Sequence, residues 1–249
     1  MEFDFSNRTQ LEVFDDHCIQ YGRRYRMLTQ DCPALRLLHD RLTEAGIGGS
    51  ELSRRIALAL EIKLGFVHTH YNLAELAGIE NQHLVPDDRR AKYRPLDDID
   101  SLGVALRRAR AAFALITRIR SLWDKAFLYV ALTQEGDATV RQLQNQRSKR
   151  KFFFSHFAAG FGAVTSDVLS RAKDELDRLE QDFRTPELHG FGNIRQWVFD
   201  TPADWDTQHS GAIIGHWNVL SNFLHLLFQD CSSSRSSFDH EPSPKQPNA

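Results

Sequence analysis

Arg184 and His189 are the two side chains whose types and spacing best suit chemistry on a phosphodiester. Thr185 is a good helix N-cap, and Pro186 suits the first helical position, where its missing N–H costs no hydrogen bond. Arg184 then precedes the cap and His189 is the fourth helical residue, two positions that touch at a helix entrance. The pattern predicts an always-charged anion binder beside a group that titrates near neutral pH, over the positive end of a helix.

The spacing itself is a weak signal, because an Arg and a His separated by four to six residues can arise by chance. Three such matches are present: Arg150 to His156, Arg184 to His189, and Arg235 to His240. The second match alone coincides with a helix start that explains the pairing. Two interpretations of it stay open, an active pair and a structural contact at a helix entrance.

A basic cluster of four residues precedes a run of phenylalanines, and its members are Arg147, Lys149, Arg150 and Lys151. Phenylalanines around the whole circumference of a helix indicate burial, so the basic cluster should emerge at one end of that helix. A solvated basic surface is the commoner explanation of such a run. The neighbouring aromatic residues and the candidate catalytic pair favour a contact with the phosphate backbone of RNA. The basic cluster is therefore the predicted RNA-binding site.

The elements that must position these residues are predicted to be helices from end to end. Apolar steps of three and four predict helices over residues 9–30, 33–45, 51–71, 98–134, 166–183 and 211–228. The longest predicted helix has an apolar seam that should face a partner helix, and Arg120 interrupts this seam. The apolar residues of the seam include Leu106, Phe113, Ile116, Trp123 and Phe127. Arg120 and Asp124 are spaced as an i,i+4 ion pair, for which a structural role is the commoner explanation.

Three further signals divide the chain. Polar and turn-forming residues between 72 and 98 predict a long loop or a domain boundary. Gly136 breaks the long helix, with Asp137 or Thr139 as the expected cap of the next one. A tail rich in Ser and Pro, residues 231–249, is expected to be disordered. The predicted fold is all-α, with an N-terminal helical segment at 1–97 packed on a helical bundle at 98–230.

Composition sets outer limits on function. The chain has 249 residues, of which 41% are hydrophobic and 26% charged, as in ordinary globular proteins. A net charge of -2 argues against a nucleic-acid-binding protein whose whole surface is basic, and it permits a local basic patch. The cysteines do not have the spacing of metal ligands or disulfides, and the sequence shows no signal peptide or membrane span. Together these features predict a cytoplasmic location.

Metal and cofactor sites are not expected. His68 and His70 lie on different sides of a helix, and no third ligand has a suitable spacing. Glu80 and His83 form a single Glu-x-x-His, whereas a di-iron bundle needs two. We therefore expect no metal and no cofactor.

Arg184, Thr185 and His189, late in an all-α bundle, resemble the Arg-x(4–6)-His signature of the HEPN superfamily (higher eukaryotes and prokaryotes nucleotide-binding). Many members are metal-independent ribonucleases of toxin, defence and CRISPR systems. The resemblance spans about residues 98–230. It implies that Arg184 grips the scissile phosphate, that His189 is the general acid/base, and that Thr185 is the polar residue of the motif.

The alternative interpretation is the same helical fold without catalytic activity. Thr185 stands where the family more often has Asn, Asp or His, and glycines follow His189 where the family continues into a long last helix. These two departures favour a catalytically silent helical binding module that partners another protein. The coincidence of cap, proline, Arg184 and His189 favours an endoribonuclease that acts on RNA.

The resemblance also predicts a homodimer, in which two copies of Arg184 and His189 line one cleft. Light scattering of the purified chain at micromolar concentration should therefore give twice the mass of one chain. A monomer mass at every concentration up to that range would contradict the prediction.

Overall fold

The computed structural model describes residues 4–24, 34–83, 97–184 and 209–230, and at several helix ends it describes the backbone alone. This part of the chain is helical apart from one short hairpin. Its α-helices in chain order are α1 (Arg8–Arg24), α2 (Leu35–Glu44), α3 (Gly49–His83), α4 (Asp97–Gln134), α5 (Asp137–Asn145), α6 (Lys149–His156), α7 (Ser166–Leu179) and α8 (His209–Asp230). The predicted all-α class is confirmed. Among the described helices, none has an apolar stretch long enough to cross a membrane.

Helices α3 and α4 form the largest interface and run antiparallel. Two ion pairs cross their seam, Arg110 with Glu75 and Lys125 with Glu61. In the middle, Gly65 lies so close to α4 that a Cβ atom added to it would come within 2.5 Å of Leu122 Cδ2. The absence of a side chain at Gly65 therefore sets how closely the two longest helices approach.

Large aromatic side chains on α4 hold two more helices in place. Trp123 packs on Phe223 of α8 with 5.0 Å between ring centroids, and Phe127 stacks on Phe153 of α6 at 4.2 Å. Each buried side chain of this size contributes roughly 1.5–3 kcal/mol by leaving water. The same core extends from Leu11 of α1 to α8. The N-terminal helices thus share one core with the helices that follow residue 97.

Asp15, on α1, joins the first three helices. Its buried carboxylate accepts hydrogen bonds from the backbone N–H groups of Leu35 (3.1 Å) and Arg36 (3.0 Å), and it pairs with the buried ammonium of Lys63 on α3. Ala34 cannot cap α2 with its own side chain. The carboxylate from α1 therefore serves as the cap, satisfying N–H groups that a helix N-terminus leaves without partners.

The predicted loop or boundary between 72 and 98 is wrong over its first part, because α3 continues to His83. Although the segment that follows Asn72 is rich in polar residues, Asn72, Leu76 and Ile79 form one buried face of the helix. Burial of an apolar face outweighs the weak intrinsic preferences of the polar residues between them. Residues 84–96 lie outside the described ranges.

The predicted seam of α4 is correct in its second half and wrong in its first. Ile116, Trp123 and Phe127 are buried, whereas Leu106 and Phe113 are 55% and 50% exposed. A straight helix drifts by about 20° per heptad against a seven-residue repeat, so a seam projected over several heptads rotates away from its partner. Neither predicted residue caps α5, because Gly136 occupies that position with φ 81°.

A two-stranded hairpin, which no alternation in the sequence predicted, leads into α7. Strands β1 (Gly160–Phe161) and β2 (Val164–Thr165) pair antiparallel. Gly160 has φ 87°, and a Cβ atom there would meet the carbonyl oxygen of Val164 at 2.6 Å, so the turn requires glycine. The Oγ1 of Thr165 then accepts from the N–H of Val168 at 3.4 Å and caps α7.

Gly65→Ala should destabilise the protein by about 1–2 kcal/mol, because over-packing a filled core outweighs the better helix propensity of alanine. Gly78→Ala in the same helix is the matched control, since nothing lies within 4 Å of the added Cβ. That variant should gain roughly 0.5–1 kcal/mol. Urea unfolding of both variants measures the difference, and equal stability of the two would refute the close approach.

Candidate nucleic-acid interface

Arg184 ends a π-helical turn, Glu180–Arg184, that continues directly from α7. Wide π turns are rare and occur often at functional sites. The side chain of Arg184, together with Thr185 and His189, lies outside the described residues. The helix start at Thr185 and the catalytic roles therefore stay predictions.

The basic cluster and the π-helical turn face one cleft of about 250 Å³. Helices α4 and α6, the connection between α5 and α6, and the turn supply its walls. The lining residues are Arg120, Asp124, Gln146, Arg147, Ser148, Lys149, Arg150 and Glu180. Three of the four members of the basic cluster thus line the cleft, and Lys151 does not. The basic side chains outnumber the carboxylates, so the cleft favours an anion.

Ser148 ends the connection between α5 and α6 and explains why the basic cluster lies at a helix N-terminus. From a cap at Asp137 or Thr139, the sequence predicts one continuous segment that includes the basic cluster and the phenylalanines. Gln146 and Ser148 instead adopt extended backbone conformations, and the Oγ of Ser148 accepts from the N–H of Lys151 at 3.3 Å. A serine before an apolar run is a cap signal, so this start could have been predicted. The positive end of α6 therefore adds to the charge of the cleft.

Arg120 forms one side of the cleft and joins α4 to the π-helical turn. The predicted i,i+4 pair with Asp124 is confirmed, with 2.7 Å between Nη1 and Oδ1. A second carboxylate, that of Glu180, accepts from Nε at 2.5 Å. The Arg120 side chain is only 16% exposed, and its Nη2 makes no hydrogen bond to any residue in the described ranges. Two carboxylates thus fix the plane of the guanidinium and leave one nitrogen uncommitted.

The four members of the basic cluster are not equivalent. Arg150 lies with its Nη1 2.5 Å from Oδ1 of Asp177 on α7, so its charge is compensated. Within the part of the chain that the structure describes, Arg147, Lys149 and Lys151 make no ion pair. The predicted RNA-binding residues therefore separate into one structural arginine, two unpaired cations that line the cleft, and Lys151, which is unpaired but lies outside the cleft lining.

A buried histidine close to the π-helical turn was not singled out by the sequence. His216 on α8 lies with Nδ1 2.7 Å from Oε1 of Glu175, and its ring packs edge-on against Phe183 with 5.6 Å between centroids. Phe183 is itself buried and directly precedes Arg184. The His216 ring, paired with Glu175, thus packs against the turn through Phe183. Only a tertiary contact between α7 and α8 reveals it.

The competing Arg150 and His156 match does not form one site. Arg150 pairs with Asp177, whereas Nε2 of His156 lies 2.8 Å from both carboxylate oxygens of Glu135. Each side chain thus belongs to a separate ion pair at an opposite end of α6. The third match, Arg235 and His240, lies outside the described residues.

The histidines considered as metal ligands have other roles. Burial and the nearby charge of Arg118 lower the pKa of His68. His70 packs on Phe66 and Trp217 in the core. Among the residues with described side chains, no group of three or more His, Cys, Asp or Glu is placed to hold a metal ion. The Glu80 and His83 side chains lie outside that set.

Comparison with known proteins gives no relative for this chain: no family model, no curated protein and no solved structure matches it.

Glu135→Gln should lower stability at pH 7, by less than about 1 kcal/mol because the pair is partly exposed. Burial raises the pKa of Glu135, but hydrogen bonds from Thr139 and His156 outweigh it and hold the pKa below its usual 4.5. Because the pKa of Glu135 is lower in the folded state than in the unfolded state, the ionised carboxylate stabilises the fold above the unfolded-state pKa. This contribution is lost as the pH falls through the folded-state pKa. Urea unfolding should therefore show the difference shrinking on acidification.

Glu44→Gln is the control for loss of a carboxylate, since Glu44 forms no ion pair with another described residue. A stability difference for Glu135→Gln that stays constant, or grows as the pH falls, would contradict this assignment of the Glu135 and His156 pair.

Proposed function

We propose that this chain is a metal-independent endoribonuclease of the HEPN type, which holds RNA in the basic cleft and cuts it with Arg184 and His189. One observation carries the proposal. The cleft that contains Arg147 and Lys149 is bounded by Glu180, which begins the π-helical turn that ends at Arg184. A surface suited to phosphate groups thus adjoins the backbone position of the candidate catalytic arginine.

In the proposed reaction the ribose 2′-oxygen attacks the adjacent phosphorus atom, and the bond from phosphorus to the 5′-oxygen breaks. His189 removes or returns the protons, and Arg184 stabilises the negative charge that develops on the phosphate oxygens. The two products carry a 2′,3′-cyclic phosphate and a 5′-hydroxyl. The mechanism uses no metal ion or cofactor.

The wider setting follows from the same resemblance. A homodimer would bring two copies of the motif into one cleft, and the family suggests a toxin or defence system in the cytoplasm. The all-α architecture supports this assignment at the level of fold class. Arg147 and Lys149 are the cleft cations available to RNA, whereas Arg150 is held by Asp177 and Lys151 lies outside the cleft lining.

The alternative, a catalytically silent helical binding module, has one observation in its favour. Leu106 and Phe113 are large apolar residues on the same face of α4, and each is at least half exposed. Exposed apolar surface of this kind is typical of contacts with a partner protein. Under this alternative the chain binds its partner without cutting RNA.

Incubation of the purified chain with mixed RNA in EDTA tests the proposal. The parent should cut RNA, and His189→Ala and Arg184→Ala should each lose about two to four decades in rate, as expected for a positioned acid/base or charge stabiliser. Both variants should melt near the parent temperature. His240→Ala, from the third match to the same pattern, is the matched control and should cut at the parent rate.

Cleavage that persists in His189→Ala, or that EDTA abolishes in the parent, would exclude this mechanism. A parent that binds RNA without cutting it would favour the silent binding module. Products that lack a 2′,3′-cyclic phosphate would also count against attack by the 2′-oxygen.

A further inference from the structure

Arg120 is the residue of the cleft that the sequence assigned to a purely structural pair. Its guanidinium is held through Nε by Glu180 and through Nη1 by Asp124, so two of its three nitrogens are fixed by carboxylates. The side chain cannot swing away, because only 16% of it is exposed. The uncommitted Nη2 is therefore a preorganised donor at the edge of an anion-binding cleft.

Two more cations share the cleft with Arg120. Arg147 and Lys149 line it and make no ion pair with other described residues, and the capped N-terminus of α6 lies between them. Arg150, by contrast, is occupied by Asp177. One oriented arginine and two adaptable cations thus remain available for a ligand.

The lining also indicates what kind of ligand would fit. Within the described part of the cleft no aromatic and no aliphatic side chain contributes to the wall. A site that reads bases uses aromatic stacking, and a protein interface has an apolar centre. An exclusively polar, basic cleft instead suits the phosphate backbone, without selection for sequence.

We propose that this cleft is a phosphate subsite for one internal phosphodiester of an RNA strand, with Arg120, Arg147 and Lys149 as its ligands. Asp124 and Glu180 act as positioning residues that orient Arg120. The inference rests on the proposed function for its substrate class and adds a binding site next to the candidate catalytic motif. It also predicts that Lys151, although part of the basic cluster, contributes little.

Fluorescence anisotropy with a short labelled oligouridine tests the subsite in the full chain carrying His189→Ala, so that binding is measured without cleavage. Arg147→Gln and Lys149→Gln should each weaken binding about tenfold, the usual loss for a hydrogen bond to a charged group. Each should also reduce the salt slope of log Kd by about 0.7, the value for one phosphate on a single strand. Arg120→Gln should do the same.

Lys151→Gln is the matched control, because it removes a charge from the same cluster outside the cleft, and it should change affinity less than twofold. Arg120→Gln removes a part-buried ion pair, so its fold is checked by circular dichroism. The variants Arg147→Gln and Lys149→Gln, which break no ion pair among the described residues, decide the outcome if Arg120→Gln unfolds.

Four competitors separate the possible ligands. An unlabelled oligouridine with a 5′-hydroxyl should displace the probe as well as one with a 5′-phosphate, and inorganic phosphate should displace it only weakly. A strong preference for the 5′-phosphate would replace the internal phosphodiester with a terminal one and overturn the proposal. Equal displacement by polyglutamate would assign the cleft to an acidic protein segment and would also overturn it.

The subsite and the nuclease can fail independently. If the parent cuts RNA while Arg147→Gln and Lys149→Gln bind it normally, the subsite is wrong and the nuclease stands. If these variants lose affinity but the parent cuts no RNA, the subsite stands and the nuclease is wrong. Absence of RNA binding by the His189→Ala chain would overturn the subsite, and cleavage by the parent would still decide the nuclease.

Discussion

The close approach of α3 and α4 at Gly65 is the constraint on which the other elements depend. Leu122 occupies the space that a side chain at position 65 would need, and it is followed directly by Trp123 on the next face of α4. With α4 fixed against α3, the aromatic residues of α4 pack against Phe153 of α6 and Phe223 of α8. Tightly packed cores deform little, so the position of one helix determines the positions of its neighbours.

Buried charge supplies the second constraint, at the N-terminal end. Asp15 and Lys63 are almost fully buried, and an isolated charge there would be costly, so the two must meet. Loss of one partner of a buried pair typically costs about 3–5 kcal/mol, since the other charge is left uncompensated. Because the same carboxylate caps α2, the pair also fixes where that helix starts. The N-terminal helices are thereby tied to α3, and through α3 to the helix that carries Arg120.

Ion pairs occupy some of the basic side chains of the cleft and leave others available to a ligand. Glu180, the second partner of Arg120, and Asp177, the partner of Arg150, come from one stretch of chain, α7 and the π-helical turn that continues it. They hold α4 and α6 against that stretch and so shape the cleft. Arg147 and Lys149 lie beyond the reach of these carboxylates and keep their charge for a ligand. The same stretch ends at Arg184, so the cleft adjoins the turn that carries the backbone of the predicted catalytic arginine.

The sequence by itself determined the features that depend on neighbours a few residues apart. These are the helical periodicity of α4 and α8, the break at Gly136 and the i,i+4 pair of Arg120 with Asp124. Only the tertiary structure decided that Glu180, sixty residues beyond Arg120, is its second partner, that Asp15 caps a helix other than its own, and that the basic cluster lines a cleft. Hydrophobic periodicity and capping act within a turn or two of helix, whereas these contacts depend on how separate helices pack. Local patterns therefore located the helices and their charges, and packing alone brought those charges together.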